Sequence, residues 1–152
     1  MKVFSLGKKH VGDLVDLTRL QVEETINHLP YEESVVRRYC EKTIDKGEDS
    51  PTKAYLVYAD NGIPAGYLIV NIQGYLFNNG CFISQEVIYV IPEYRGTKAA
   101  LLLLQKLEEV AEEEYALEIF TGVANNFNVE KTGRLLEKRG YENVGRYYRK
   151  IL

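Results

Sequence analysis

Cysteine and histidine are scarce in this chain of 152 residues, with two of each. Cys40 and Cys81 have no metal-like spacing and read as a reduced pair. His10 and His28 are too few and too far apart for a metal centre, so no metal is expected. Charge of one sign is lacking too. Nineteen Lys and Arg against twenty-two Asp and Glu leave a net charge of -3, which argues against a nucleic-acid groove and a basic membrane-binding surface. No apolar run approaches the length that spans a bilayer. No basic-then-apolar leader follows Met1, so no signal peptide is expected and the cytoplasm is the expected location. Internal repeats, low-complexity segments and a domain boundary are also missing. Residues 1–152 are expected to form one domain with a sizeable core.

What is present is organised around Glu86–Leu104, EVIYVIPEYRGTKAALLLL. Glu86 to Ile91 is rich in β-branched and aromatic residues and reads as a buried strand. Pro92 cannot donate to a ladder and should end the pairing. Arg95-Gly96-Thr97 makes a turn, with Thr97 as the expected N-cap of a helix. Ala100, Leu103, Leu104, Leu107, Val110 and Ala111 recur at helical spacing. A helix that starts just after a strand leaves backbone N–H groups unpaired at the positive end of its dipole, a site suited to phosphate. Arg95 and Lys98 add two cations there.

The rest of the chain falls into order around this unit. Val3–Leu6 reads as a first strand. Val11, Leu14, Val15, Val22 and Ile26 mark a helix that ends before Pro30. A second helix is expected over Glu32–Lys46, with Val35, Val36, Tyr39, Cys40 and Ile44 inward. Gly47–Pro51 is a loop. Ala54–Ala59 and Ala65–Ile72 are strands, joined through Asn61-Gly62, where both residues tolerate positive φ. Gln73–Gly80 is a loop carrying Tyr75 and Phe77. After the central helix, Leu117–Val123 reads as a strand parallel to the central one. Glu130–Arg139 is a helix stopped by Gly140, and strands over Tyr141–Val144 and Arg146–Ile151 close the chain. The expected fold is α/β (α+β in some schemes), a mixed twisted sheet of about seven strands with about four helices.

The Val90-x-Pro92 strand end and the hexad Arg95-Gly96-Thr97-Lys98-Ala99-Ala100 resemble the fingerprint of the GNAT acyl-CoA N-acyltransferases. That fingerprint runs Arg or Gln, two residues, Gly, one residue, then Gly or Ala. Arg95 and Ala100 match. Lys98 stands where the family has its first glycine, and its Cβ makes a left-handed conformation costly; either the turn is altered or this position is helical. The element order is similar to the family's over essentially the whole chain, and the Arg-Gly-x-x-Ala-Ala version is similar to a phage- and prophage-encoded branch. The resemblance implies acetyl-CoA as cosubstrate, a primary amine as acceptor, direct attack in a ternary complex, and a homodimer. It implies pantetheine contacts from the backbone of Ile88 and Val90, where the two central parallel strands splay apart. Pyrophosphate contacts would come from Arg95, Gly96, Thr97, Lys98, Ala99 and Ala100, and a further contact from Asn128. An N-cap and turn cluster accounts equally well for Asn125, Asn126 and Asn128.

Transfer from a thioester to an amine needs no covalent nucleophile. The protein must hold the reactants together, polarise the carbonyl and remove a proton. An alkylamine with a pKa near ~10.4 arrives charged and must lose a proton first. Glu86 is the candidate base, because an acid among apolar strand residues is costly unless used or paired. Polyamine-type members are similar at this offset from the turn. A solvated face or a pair with a strand neighbour is the competing account. Leu136 stands where the family has a tyrosine that protonates the leaving thiolate. Water, another tyrosine (Tyr89, Tyr147 or Tyr148), or a protein without efficient turnover are the three resulting readings. The last defines the alternative function: a GNAT-fold protein that binds CoA, or a host or virion protein, without catalysis. The acceptor pocket is expected around His28–Tyr31, Tyr75 and Phe77.

Overall fold

One sheet of five strands carries the fold, in the order β1-β2-β3-β4-β5. The computed structural model describes residues 1–122 and 129–152. They fall into two units, Met1–Thr121 and Gly122–Leu152. The first unit contains β1 (Lys2–Ser5), α1 (Val11–Thr25), α2 (Glu33–Lys46), β2 (Thr52–Tyr58), β3 (Pro64–Gly74), β4 (Cys81–Val90), α3 (Ala99–Glu113) and β5 (Glu118–Phe120). Strands β1 to β4 pair antiparallel and β5 joins β4 in parallel, so the sheet is mixed. The parallel step follows from α3, which carries the chain back along the sheet between the two strands.

Alternation along the strands assigns the two faces. Ala54 and Leu56 of β2, Tyr67 and Ile69 of β3, and Tyr89 of β4 form a core with Leu14 and Leu17 of α1 and Cys40 of α2. Each of the two leucines is almost fully buried, and each burial contributes about 1.5–3 kcal/mol. Tyr55, between Ala54 and Leu56, points the other way, and Lys106 of α3 stands over its ring at 5.2 Å. Helix α3 therefore covers the opposite face, burying Leu103, Leu104, Leu107 and Val110.

Several expectations change in detail. The β2–β3 connection needs positive φ only at Gly62 (φ 82°), not at Asn61. A hydrogen bond from Ala59 N–H to Ile63 O closes a three-residue loop, in which one left-handed residue suffices. Val35 is half exposed, since its position on α2 turns it off the core stripe. The central strand starts at Cys81, five residues before Glu86.

In the second unit α4 spans Val129–Lys138. Tyr141 N–H donates to Leu136 O and Gly140 N–H to Glu137 O, with Gly140 at φ 90°; this paired closure is the Schellman stop that glycine permits. The strands expected over Tyr141–Val144 and Arg146–Ile151 are not formed among the described residues, so the sheet has five strands and not about seven. Locally, Asn143 Oδ1 accepts the Gly145 N–H at 3.2 Å, a turn between the two runs. Alternating side chains make a strand only where a ladder partner is present.

Two contacts hold β4 where it ends. Gly66 of β3 pairs with Val90, and a Cβ there would lie 2.3 Å from Tyr89 O. Glu24 of α1 accepts from Arg95 Nη2 at 2.6 Å and from the Tyr89 hydroxyl at 2.9 Å. The Arg95 hydrogen bond holds the Glu24 carboxyl below its ordinary 4.5, with burial opposing and Tyr89 assisting.

Gly66→Ala is expected to destabilise by about 1–3 kcal/mol through overpacking, lowering the melting temperature by about 2–4 °C per kcal/mol; thermal unfolding checks it. For Glu24, a depressed folded pKa means stability that is present above the unfolded value and lost as pH falls through the folded one. Its side chain and that of Arg95 are 23% and 31% exposed. Glu24→Gln should cost about 1–2 kcal/mol at neutral pH. Denaturant titrations should show the gap from the parent protein closing as pH falls from about 6 to about 3.

Candidate active site

β5 pairs with only the first part of β4. The register runs Phe82↔Glu118, Ile83↔Ile119 and Ser84↔Phe120 and then stops. From Gln85 to Val90, the β4 edge away from β3 has no strand partner among the described residues. Ile91 N–H donates to Ala65 O at 3.0 Å, which fixes the hydrogen-bonding phase of the ladder. Gly66↔Val90 and Leu68↔Ile88 are thus the pairs without mutual hydrogen bonds, and Ile88 and Val90 turn their N–H and C=O groups toward the open edge. These are the two residues whose backbone the family resemblance singles out. Val90 O is taken by Arg95 Nε at 3.0 Å, so the Ile88 N–H, the Ile88 C=O and the Val90 N–H are the groups this edge presents.

Glu86 sits at an irregularity in the same strand. Ile69 pairs with Val87 and Val70 with Gln85, which leaves Glu86 as an extra residue on β4. Without it, strict alternation would place Glu86 on the face of Ile88 and Val90. The bulge re-aims it. Glu86 Oε2 accepts from Asn71 Nδ2 at 2.9 Å, and Asn71 lies two residues beyond Ile69 on the α1–α2 face. The carboxylate is exposed, which corrects the expectation of an acid enclosed by apolar strand residues. Oε1 has no hydrogen-bond partner among the described residues. Burial pushes the phenols of Tyr39 on α2 and Tyr67 on β3 upward, and the Glu86 charge adds a smaller push to both. Just beyond the last β5-paired step, the Thr121 hydroxyl donates to Gln85 Oε1.

The turn after β4 resolves the Lys98 question. Pro92–Tyr94 forms one turn of 3-10 helix, Gly96 takes the positive φ of 82°, and Lys98 sits at φ -73°, ψ -1°. The left-handed residue is Gly96, two places before the position where the family has its first glycine, so a Cβ at Lys98 causes no strain. Thr97 is not the N-cap. Lys98 holds that position, because the turn delays the helix by one residue. Thr97 still caps in part: Oγ1 accepts the Ala99 N–H at 3.2 Å and donates to Tyr94 O at 2.7 Å. The N–H groups of Gly96, Lys98, Ala100 and Leu101 make no hydrogen bond among the described residues. A helix start with such donors is of the kind that suits an anion, and the exposed Lys98 lies beside it. Arg95 differs from the expectation. Its guanidinium folds back onto Val90 O and Glu24 and lies 5.8 Å from the Tyr89 ring centre, so it ties the turn to β4 and α1.

Other expected residues are not assembled. Asn128 lies outside the described residues. Tyr89 donates its hydroxyl to Glu24 on the α1 side at 2.9 Å. Tyr75, Phe77, Phe82 and Phe120 form a run of ring contacts at 5.1–5.4 Å, while Tyr31 donates to Val15 O at 2.9 Å; no hydrogen bond or ring contact joins the two groups among the described residues. Sequence reasoning missed Asn71 and Glu24. The one available signal was Asn71 itself, an amide inside the apolar run Leu68–Ile72, where strand propensity disfavours it.

The chain matches the model of the Acetyltransferase (GNAT) family over residues 14–141. No curated protein matches it. Solved structures are similar along nearly its full length. An acetyltransferase from Trypanosoma brucei has a TM-score of 0.76 at 17% identity, over 99% of each chain. AAC(6')-Iy, in complex with the bisubstrate analog CoA-S-monomethyl-acetylneamine, has a TM-score of 0.74 at 18% identity, over 99% of this chain and 98% of that one. A ribosomal-protein-alanine N-acetyltransferase from Brucella melitensis has 0.65 at 19%, over 99% and 100%. At these identities the likeness is one of fold, but the family match spans most of the chain and includes β4, the turn and α3: this protein is an acyltransferase belonging to the GNAT acetyltransferase family.

Proposed function

We propose that this protein transfers an acetyl group from acetyl-CoA to a primary amine by direct attack within a ternary complex, with Glu86 as the base. The observation that carries the reading is the coincidence on one strand of an outward-facing backbone edge at Ile88 and Val90 with a bulge that presents a carboxylate two residues away. Acetyl-CoA, when bound, supplies an activated thioester, so the protein's tasks are positioning, polarisation and proton removal.

The chain's own groups divide these tasks. The Ile88 N–H and C=O and the Val90 N–H receive an amide-containing arm as an added strand would be received. The N–H groups of Gly96, Lys98, Ala99, Ala100 and Leu101 hold a pyrophosphate, assisted by the Lys98 ammonium. Ala99 serves once its N–H leaves Thr97. Arg95 contributes through its backbone and by fixing the turn. Ile88 N–H is the outward donor nearest Glu86 and polarises the carbonyl. Glu86 Oε1 takes the amine proton, directly or through a water, which its exposure permits. With Leu136 unable to donate and Tyr89 committed to Glu24, water protonates the departing thiolate. The neighbours' names span an enzyme in complex with a CoA–acetylneamine bisubstrate analog and a ribosomal-protein-alanine enzyme at nearly equal identity, so the acceptor is left at the level of a primary amine.

A hundredfold excess of acetyl-CoA over its dissociation constant should add about 2.7 kcal/mol of stability, a shift of several degrees at about 2–4 °C per kcal/mol. Turnover is read as free thiol release with spermidine, glucosamine and a lysine-containing peptide as acceptors. Glu86→Gln is expected to lower kcat by about a hundredfold or more on the best of these, with the acetyl-CoA shift unchanged. A loss within about threefold at every pH would remove Glu86 from the role. A full thermal shift with no transfer to any acceptor would move the protein to CoA binding without catalysis.

A further inference from the structure

We infer that Asn71, held by Thr52, is a positioning residue that fixes the Glu86 carboxylate for proton removal; the inference rests on the reading of Glu86 as the base. Thr52 of β2 and Asn71 of β3 are direct partners in the ladder. The Thr52 hydroxyl donates to Asn71 Oδ1 at 3.2 Å, and Asn71 Nδ2 donates to Glu86 Oε2 at 2.9 Å. Both bonds run in one direction. The hydroxyl occupies the amide oxygen, so the amide nitrogen is the end turned to the carboxylate. Ser50, which is buried, accepts the Thr52 N–H at 3.3 Å and anchors the start of the relay. The three side chains come from three adjacent strands, on the face also occupied by α2.

Two features separate this arrangement from ordinary surface polarity. Asn71 stands where the buried run of β3, Ala65 to Val70, gives way to partly exposed residues, at a place where a β-branched side chain would suit the strand better. Its partner is also the one β4 residue without a ladder partner on β3. A bulged residue has fewer backbone restraints than its neighbours. An exposed glutamate there would explore several rotamers, at a conformational cost each time it must be brought into line. One charge-assisted hydrogen bond to Oε2 holds the side chain while leaving Oε1 open toward the acceptor.

The test uses the full chain. In the protein without ligand, the Asn71 side-chain amide should give a downfield, slowly exchanging proton in nitrogen–proton correlation spectra, lost in Glu86→Gln and weakened in Thr52→Val. With acetyl-CoA and the best of the three acceptors, Asn71→Leu should lower kcat by about tenfold or more, since small misplacements at a reacting centre are costly. The KM for acetyl-CoA and its thermal shift should stay within about twofold. Thr52→Val, which keeps Asn71, should lose about threefold in kcat and serves if Asn71→Leu does not fold. Adding Asn71→Leu to Glu86→Gln should cost nothing further, because both remove one function. An inactive Glu86→Gln beside an Asn71→Leu of full kcat, or additive losses in the pair, would overturn the positioning role alone. An active Glu86→Gln, or no transfer to any acceptor, would overturn the base reading and this inference with it.

Discussion

Between Ile69 and Val70 on β3 and Gln85 and Val87 on β4, the ladder carries one residue too many, and much of the candidate site depends on that excess. A strand has only two faces, and its alternation is strict until pairing slips. By slipping at Glu86, β4 keeps Val87, Tyr89 and Ile91 on the core beneath α1 and α2 and brings a carboxylate to the same side. The residues that follow, Ile88 and Val90, still turn their backbone groups to the edge that β5 does not cover. One irregularity thus sets an exposed carboxylate two residues from the first of the outward-facing backbone groups on a single strand.

At the far end of β4 the same economy recurs with different chemistry. The turn needs one left-handed residue, and Gly96 supplies it. That releases Lys98 to helical space and leaves a series of donors at the start of α3. Arg95, the obvious cation in the motif, is engaged elsewhere. Its guanidinium joins Val90 O, Glu24 and the Tyr89 ring into one cluster, so α1 holds the end of β4. The groups left exposed at the turn are backbone N–H donors and the Lys98 ammonium. The helix that borders the expected acceptor region is thereby tied to the turn that would grip the cosubstrate.

The elements were largely legible from the residues. Periodicity located α2 and α4 within one residue and found the buried faces of α1 and α3, while Gly140 marked the end of α4 and Pro92 the end of β4 pairing. β5 was legible as a strand and as parallel, because a helix of α3's length between two strands permits little else. The two strands expected after Tyr141 were not. Alternation there is genuine, but pairing is a property of two segments, and Asn143 captures the Gly145 N–H in a local turn instead.

The candidate site divides along the same line. Hydrophobic period, turn chemistry and helix starts are local in the chain, so the sequence by itself determined that a strand, a phosphate-type turn and an amphipathic helix would follow one another at Glu86–Leu104. The resemblance at Arg95 and Ala100 pointed to the family that the match over residues 14–141 shows. Tertiary structure alone decided which way each group points. The slip that turns Glu86, the Thr52–Asn71–Glu86 relay across three strands and the capture of Arg95 by Glu24, seventy-one residues away, all depend on register and packing between distant segments. No local pattern encodes them, because a shift of one residue in register would reverse every face involved.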